Sequence, residues 1–209
     1  MASEYLEETP WTRLRLQAVL ELVEPAPGDR ILDLGCAAGA LTDFLSKQGA
    51  ETTGVDAEPL AIETARRLFP DLRFEEADVA ALPFGPETFD KAVAGDLVEH
   101  LDDATFAAML GELRRVLAPG GSLSIYTPNR KHVIERLKAR EILLAQNPTH
   151  IGLRTERQLT EQLVNAGFLV ERSGWKPSFF TVLRPFERAL GGRIASLRYR
   201  LCIRALKPA

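Results

Sequence analysis

The sequence predicts an α/β fold built on a mostly parallel sheet. Residues 31–34 form a short, largely apolar run, as expected of a strand buried in such a sheet. Small residues follow, and Leu41 and Leu45 then recur at helical spacing up to a stop at Gly49. Residues 51–56 resemble a second strand, so strand, turn, helix and strand succeed one another as a doubly wound fold requires.

The other elements are predicted by apolar spacing and by turn residues. In chain order they are an amphipathic helix ending before Pro25, a helix from Pro59, strands at 72–74 and 89–94, a helix from Asp103 to Pro119, a strand at 122–127, a helical stretch at 133–142, a helix from the capping-box pair Thr155 and Gln158 to Gly167, a strand at 168–171, a helix around 185–190 and a strand near 201–206. In the last segment apolar residues alternate with arginine and cysteine, which is typical of a half-exposed strand. Phe186, Leu190, Ile194, Leu197 and Leu201 also fit a helix whose basic face could rest on an anionic membrane.

The turn after the first strand is the predicted ligand site. Gly35 and Gly39 allow the backbone to approach a ligand at the carboxyl end of the strand. The next helix presents its N-terminus there. Asp33 adds negative charge to the turn, which repels phosphates and suits a ligand with cationic groups.

A second carboxylate narrows the class of ligand. Asp56 ends the next strand about 20 residues beyond the turn, where a ribose diol is held in nucleotide-binding folds. A dinucleotide fingerprint would need glycine at positions 35, 37 and 40, but Ala37 and Ala40 stand at the last two. Because a pyrophosphate needs its closest backbone approach at the second glycine, this pattern disfavours a dinucleotide.

Seven short segments follow one another in a fixed order between residues 30 and 127. They are Asp33-x-Gly35-x-x-x-Gly39, Gly54-Val55-Asp56, Ala77-Asp78-Val79, Leu82-Pro83-Phe84, Phe89-Asp90, Glu99-His100-Leu101 and Arg115-Val116-Leu117-Ala118-Pro119-Gly120-Gly121. Together they resemble the class I S-adenosylmethionine-dependent methyltransferases, and most of all the methyltransferase type 11 branch that includes the quinone-biosynthesis enzymes. Ala37 departs from the family pattern, which has a middle glycine at that position.

The resemblance implies a Rossmann-like, doubly wound sheet of seven mostly parallel strands with an antiparallel last strand and helices on both faces. We therefore expect one methyltransferase domain over residues 1–209. Its expected parts are an N-terminal helical cap (1–29), a cofactor-binding core (30–127), a lid insertion (128–150) and a C-terminal part of the sheet with a basic tail (151–209).

The resemblance also implies that the cofactor is S-adenosyl-L-methionine and that its product is S-adenosyl-L-homocysteine. Asp56 would hold the ribose, and Asp78 would accept a hydrogen bond from the adenine amino group, although Asp78 could instead be a solvated loop residue. The residues expected to bind the cofactor are Asp33, Gly35, Cys36, Ala37, Gly39, Asp56, Ala57, Asp78, Val79 and Gly95.

The loop after the fourth predicted strand should approach the reacting atoms, because ligands lie at the carboxyl ends of strands in this fold. Glu99 and His100 are the only adjacent acid and imidazole in the chain. With an ordinary pKa of about 6.5, His100 could take a proton near neutral pH and is the candidate catalytic base. Alternatively, both side chains are structural and tie the loop to the neighbouring helix.

Four residues outside the core are candidates for the substrate pocket. Tyr5 and Trp11 belong to an N-terminal segment that often crosses the cofactor site in the family, although they could equally pack that segment onto the sheet. His132 lies in the predicted lid, and His150 follows it. As a lone histidine, His150 could instead be a surface or capping residue. No cysteine or histidine spacing suggests a metal, so none is predicted.

The net charge of −3 is unevenly distributed. From Arg172 to the end there are nine basic residues and one acidic residue, so residues 1–171 are strongly acidic. An acidic body argues against a nucleic-acid partner. The basic tail, residues 172–209, could contact an anionic surface or substrate, or its arginines could pair with the protein's own acidic face.

Composition and length are those of an ordinary globular protein, with 209 residues of which 45% are hydrophobic. The charged N-terminus lacks the apolar core of a signal peptide, and no uncharged apolar run approaches membrane-spanning length. Cys36 and Cys202 make no disulfide framework, so a reducing cytoplasm is predicted.

The predicted function is transfer of a methyl group to an oxygen, nitrogen or carbon atom of a small-molecule acceptor, with quinone-, lipid- and sugar-like acceptors as candidates. One alternative is a module that binds the same cofactor without methyl transfer or performs different chemistry with it. Another is a nicotinamide-dependent Rossmann enzyme, which Asp33, Ala37 and Ala40 disfavour. The sequence defines neither the acceptor nor the oligomeric state.

Overall fold

The computed structural model describes residues 10–141, 145, 147–178, 180 and 182–209. Within them, seven strands form one sheet in the order β3-β2-β1-β4-β5-β7-β6. The strands are β1 (Arg30–Leu34), β2 (Glu51–Asp56), β3 (Arg73–Glu76), β4 (Phe89–Gly95), β5 (Leu117–Pro128), β6 (Leu169–Lys176) and β7 (Arg200–Leu206). Each strand predicted from the sequence is therefore present; β2 has the predicted bounds, and the other strands differ from theirs at one or both ends.

The sheet is parallel except at β7. β1 pairs in parallel with β2 and β4, β2 with β3, and β4 with β5, whereas β7 runs antiparallel to β5 and β6. The predicted seven-stranded sheet with an antiparallel last strand is confirmed. Because the strand order reverses between β1 and β4, their carboxyl ends flank the crevice where ligands bind in doubly wound folds.

Helices cover both faces of the sheet. They are α1 (Pro10–Val23), α2 (Ala40–Ser46), α3 (Pro59–Leu68), α4 (Asp103–Val116), α5 (Val133–Lys138), α6 (Glu156–Asn165) and α7 (Arg184–Leu190), with short 3₁₀ turns at Val98–His100 and Ala195–Leu197. Ile31 and Val93 are buried in one cluster with α1 and α2, whereas Leu32 and Ala94 are buried in another with α4 and α6. Neighbouring strand residues thus face opposite layers.

Helix α6 begins where the sequence predicted a capping box. The Thr155 hydroxyl accepts from the Gln158 backbone N–H, and the Gln158 side chain accepts from the Thr155 backbone N–H. Two of the unpaired N–H groups at this helix start are therefore satisfied. Among the described helices, none is both long enough and apolar enough to cross a membrane.

The prediction of a half-exposed last strand is wrong. Most β7 residues are buried, and the side chains of Arg200 and Arg204 are only 16% and 13% exposed. Arg204 pairs with Glu24 just beyond α1 and with Glu171 on β6. The alternation in the sequence reflects ion pairs with the protein's own acids, not contact with solvent.

Candidate functional site

The loop between β1 and α2 takes a tight path at the carboxyl edge of the sheet. Gly35, Ala37 and Gly39 all have positive φ, at 67°, 47° and 85°. A Cβ on Gly39 would lie 2.7 Å from Cζ of Phe74, and one on Gly35 would lie 2.8 Å from Cδ1 of Leu97. Both glycines are thus required by backbone conformation and by close packing. Ala37 stands where the family pattern has its middle glycine. It adopts the left-handed backbone conformation, which is uncommon for a residue other than glycine but sterically allowed.

Asp56 fixes this loop from the end of β2. Its Oδ2 accepts from the Ala37 backbone N–H at 2.9 Å, and its Oδ1 accepts from the Glu58 backbone N–H at 3.0 Å. A carboxylate oxygen can accept more than one hydrogen bond, so each retains capacity for a ligand hydroxyl. The neighbouring Cys36 donates its backbone N–H to Val55 and buries its thiol, which raises the pKa of that thiol far above its ordinary value.

Asp33 lies beneath the loop. Its side chain is buried and accepts a 2.7 Å hydrogen bond from the Thr42 hydroxyl of α2. Burial raises the pKa of Asp33 to about 7, although the Thr42 bond acts in the opposite direction. A positively charged ligand group nearby would favour the ionised carboxylate.

The remaining residues expected to bind the cofactor lie along the same edge. Ala77, just after β3, donates its backbone N–H to the Asp56 carbonyl, which brings the next residue, Asp78, beside the end of β2. Asp78 is exposed and accepts from the Ala80 backbone N–H at 2.8 Å, whereas Val79 is buried. Gly95 ends β4, next to β1 in the sheet. Loops from four adjacent strands therefore lie side by side at the carboxyl edge of the sheet, where doubly wound folds have their ligand crevice.

A buried charge network beside this crevice was missed from the sequence. Asp96 lies directly after β4, and its carboxylate pairs with Arg15 of α1 and with Arg200 of β7, each at 2.5 Å. Burial would raise the pKa of Asp96, but the charges of Arg200 and Arg15 prevail and hold it below its ordinary value. Asp96 also has a positive φ of 58°, so the network holds a conformation that is uncommon for a non-glycine residue.

Glu99 belongs to the same network. It is 1% exposed, and its Oε2 accepts from the Thr127 hydroxyl at 2.9 Å, while Arg200 lies 3.7 Å from Oε1. Burial, together with the charge of Asp96, raises the pKa of Glu99 to about 8. Burial thus favours the protonated form of Glu99 over its carboxylate.

Sequence comparison decides the family. A methyltransferase domain model matches residues 31–121. A methyltransferase of Synechocystis is 31% identical over 186 residues, spanning 88% of this chain and 81% of that protein. The chain belongs to the S-adenosylmethionine-dependent methyltransferase family. The predicted class I methyltransferase family is thereby confirmed, and with it the cofactor class, S-adenosyl-L-methionine. Membership of the quinone-biosynthesis branch stays a prediction.

In other relatives the match covers only part of the relative's own length. A probable S-adenosylmethionine-dependent methyltransferase of Mycolicibacterium smegmatis is 31% identical over 79% of this chain, which spans 62% of that protein. A ubiquinone biosynthesis O-methyltransferase of Paracidovorax citrulli is 32% identical over 51% of this chain and 46% of its own length. The chain thus spans about half the length of the quinone-biosynthesis relative.

Solved structures share the fold at low identity. A Haloferax volcanii methyltransferase in complex with the Trm112 activator has a TM-score of 0.76 and 19% identity, over 100% of this chain and 94% of that one. The cyclase SpnF has a TM-score of 0.74 and 19% identity, over 97% of this chain and 84% of that one. At such identities the likeness shows the Rossmann-like fold alone.

The structure separates the two neighbours Glu99 and His100. Glu99 enters the buried network, whereas Nδ1 of His100 lies 3.1 Å from the Thr149 carbonyl oxygen. A carbonyl only accepts, so Nδ1 carries the proton, and Nε2 of a neutral ring has a free lone pair. This tautomer suits a proton acceptor.

His150, the last residue of the predicted lid (128–150), lies beside His100. Its ring centroid lies 5.0 Å from that of His100, and burial, with the nearby His100, lowers its pKa. Glu99, His100 and His150 each present a possible ligand atom within 4.8 Å of the others, so this cluster could hold a metal ion. The expectation that no metal is used remains a prediction.

His132 has a different environment from that expected of a pocket residue. Its side chain is fully buried, Nε2 lies 3.0 Å from the Glu187 carboxylate, and Nδ1 accepts from the Ile134 backbone N–H. Both ring nitrogens are thus engaged in joining the start of α5 to α7. Tyr5 and the side chain of Trp11 lie outside the described part of the structure.

Proposed function

We propose that this protein transfers a methyl group from S-adenosyl-L-methionine to an oxygen, nitrogen or carbon atom of a small-molecule acceptor. The observation that carries the proposal is the loop 35–39, held between the carboxylates of Asp33 and Asp56 at the point where the strand order reverses. This arrangement offers close backbone approach, ribose ligands and negative charge in one place.

The chain's residues would bind and align the cofactor. Asp56 would hold the ribose diol with the lone pairs left free by the loop, and Asp78 would accept from the adenine amino group. Asp33 would favour the positively charged end of the molecule. The bound cofactor supplies an activated methyl group, so the protein's main contribution is to place the acceptor in line, about 3 to 3.5 Å from that group.

Where the acceptor atom carries a proton, we assign His100 as the base. The Thr149 carbonyl orients the ring so that Nε2 can accept the proton. An acceptor that is already unprotonated needs no such step.

Metal use is tested separately. A chelator such as EDTA is predicted to leave the rate of methyl transfer unchanged. Loss of methyl transfer in EDTA, restored by a divalent cation, would instead assign Glu99, His100 and His150 as metal ligands.

The acceptor class is the finer part of the proposal. Relatives named ubiquinone biosynthesis O-methyltransferases support a quinone-like acceptor with a hydroxyl group, while lipid- and sugar-like acceptors remain candidates. The proposal includes a cytoplasmic location and no nucleic-acid partner. The boundaries of a single domain over residues 1–209 belong to it as well.

The second candidate function is different chemistry at the same site. A solved protein with this fold is named a cyclase, which supports the view that the fold can serve reactions other than methyl transfer. The two candidates share the cofactor site and differ in turnover.

Two measurements separate the candidates. Calorimetric titration with S-adenosylhomocysteine should show saturable binding, while NAD should show none; the reverse order of affinity would contradict the proposal. Transfer of tritium-labelled methyl groups should then be detected with at least one of a panel of hydroxyquinones, catechols, sugars and amines. Cofactor binding without transfer across that panel would favour the second candidate.

A further inference from the structure

A pocket of about 300 Å³ is lined in part by Arg15, whose guanidinium also donates to the carbonyl of Gly95, a residue expected to bind the cofactor. Arg15 of α1 and Tyr126 of β5 line it on one side, and Lys176 at the end of β6 lines it on another. Arg184 and Arg188 of α7 also line it. Because β4, β5 and β6 all run in the same direction, these strand ends share the sheet edge that carries the cofactor loop.

The pocket is continuous with the charge network at the end of β4. Arg15 donates both to Asp96 and to the Gly95 carbonyl, and Asp96 donates its backbone N–H to the Tyr126 carbonyl. A molecule in the pocket would therefore lie beside Gly95, which borders the candidate cofactor site. If Gly95 borders the bound cofactor as proposed, this pocket is open to a methyl acceptor.

The unbalanced charge of the basic tail is concentrated at this pocket. Five of the nine basic residues from Arg172 onward pair with the protein's own carboxylates, and Lys207 donates to a backbone carbonyl. The other three basic residues, Arg184, Arg188 and Arg193, have no ion pair within the described residues. Two of these three line the pocket.

The nearby acids are already engaged. Glu187 of α7 is buried and binds His132 and the backbone N–H of Ser178. Glu21, the acid that lines the pocket, pairs with Lys176. Meanwhile Nε of Arg184 is buried without a hydrogen-bond partner in the described structure. Buried donors are normally satisfied, so the guanidinium of Arg184 retains unused donor capacity beside the pocket.

We infer that this pocket holds an anionic group of the methyl acceptor, a phosphate or a carboxylate, with Arg184 and Arg188 as its ligands. Guanidinium groups suit this task because they bind such oxyanions through paired hydrogen bonds. Leu14, Ala18 and Pro177 line the same pocket and offer apolar contact to the rest of the molecule. The inference rests on the proposed methyltransferase function and adds the charge of the acceptor.

The test uses the full chain saturated with S-adenosylhomocysteine and titrated with inorganic pyrophosphate by calorimetry. Wild type should bind pyrophosphate, and the double variant Arg184→Gln/Arg188→Gln should bind it at least about tenfold more weakly. Arg193→Gln removes a neighbouring positive charge outside the pocket lining and should stay within about twofold of wild type. Since Arg188 is exposed, Arg188→Gln alone replaces the double variant if that one fails to fold.

A second arm identifies the source of the anion. If it is a lipid headgroup, vesicles of phosphatidylcholine with phosphatidylglycerol should sediment wild type and Arg193→Gln but not the double variant. If it is a soluble molecule, pyrophosphate binds and the vesicles sediment none of the three proteins. If Arg193→Gln and the double variant lose pyrophosphate affinity or vesicle binding to the same extent, the binding depends on general surface charge. That result would overturn the inference.

Failure of this inference is distinguishable from failure of the proposed function. A wild-type protein that binds S-adenosylhomocysteine but not pyrophosphate overturns the anion site alone. A wild-type protein that does not bind S-adenosylhomocysteine overturns the proposed function instead. The double variant should keep its affinity for S-adenosylhomocysteine, because neither arginine belongs to the cofactor loops.

Discussion

The Asp56→Ala variant tests how the cofactor is held. The carboxylate of Asp56 accepts hydrogen bonds from the backbone N–H groups of Ala37 and Glu58, and its remaining lone pairs are proposed to receive the ribose diol. A hydrogen bond to a charged group contributes about 1.5 to 3 kcal/mol. Two such bonds to the ribose, at the lower value, give about 3 kcal/mol, or a loss of affinity on the order of a hundredfold.

Calorimetric titration with S-adenosylhomocysteine measures this loss directly. Glu58→Ala is the matched control, because it removes an exposed carboxylate two residues away and keeps the backbone N–H that donates to Asp56. The control should bind within about twofold of wild type. If Asp56→Ala binds within about threefold of wild type, or if Glu58→Ala loses as much affinity, Asp56 is not the ribose ligand.

Three further variants test other parts of the account. His100→Asn can keep the hydrogen bond to the Thr149 carbonyl but lacks the basic nitrogen. The rate of methyl transfer should therefore fall most near neutral pH, with the affinity for the cofactor unchanged. An unaltered rate would remove His100 from the mechanism. Gly39→Ala should lower the free energy of unfolding, measured in urea, by about 2 to 5 kcal/mol through backbone strain and the clash with Phe74. The control Gly120→Ala also has positive φ but has open space around its Cβ, so it should lower the free energy of unfolding by about 1 to 2 kcal/mol. Equal losses in the two variants would refute the packing argument. Asp33 has a folded-state pKa of about 7, above its ordinary value, so it binds a proton more tightly in the folded protein than in the unfolded one. Its contribution to the free energy of unfolding is therefore lost as pH rises from about 4 through 7. Asp33→Asn should reduce this loss in urea denaturation, and an unchanged dependence of the free energy of unfolding on pH would contradict the assignment.

The fold was predictable wherever burial leaves a local pattern in the sequence. β1 is buried on both faces, and its apolar run ends at the glycine turn, so strand and loop are both visible. β6 is an edge strand with many exposed residues, and it extends to Lys176 although its predicted end was Glu171. Its outer half is held by backbone pairing with β7, and such pairing leaves no apolar pattern.

The candidate site was predictable only where its residues are close in sequence. Asp33, Gly35 and Gly39 form a local motif, and Asp56 follows at a known interval. The pair of Arg15 and Asp96 joins residues 81 positions apart, and no spacing rule connects them. The only local signal was an acid two residues after the predicted strand 89–94, at the edge where ligands bind.

The most direct test of the account is the response of the loop's own backbone to the cofactor product. In a titration followed by amide NMR, S-adenosylhomocysteine should shift the resonances of Gly35, Ala37 and Gly39 at saturation, and NAD at the same concentration should leave them in place. Binding of S-adenosylhomocysteine without any change at these three amides would contradict the claim that this loop cradles the nucleoside.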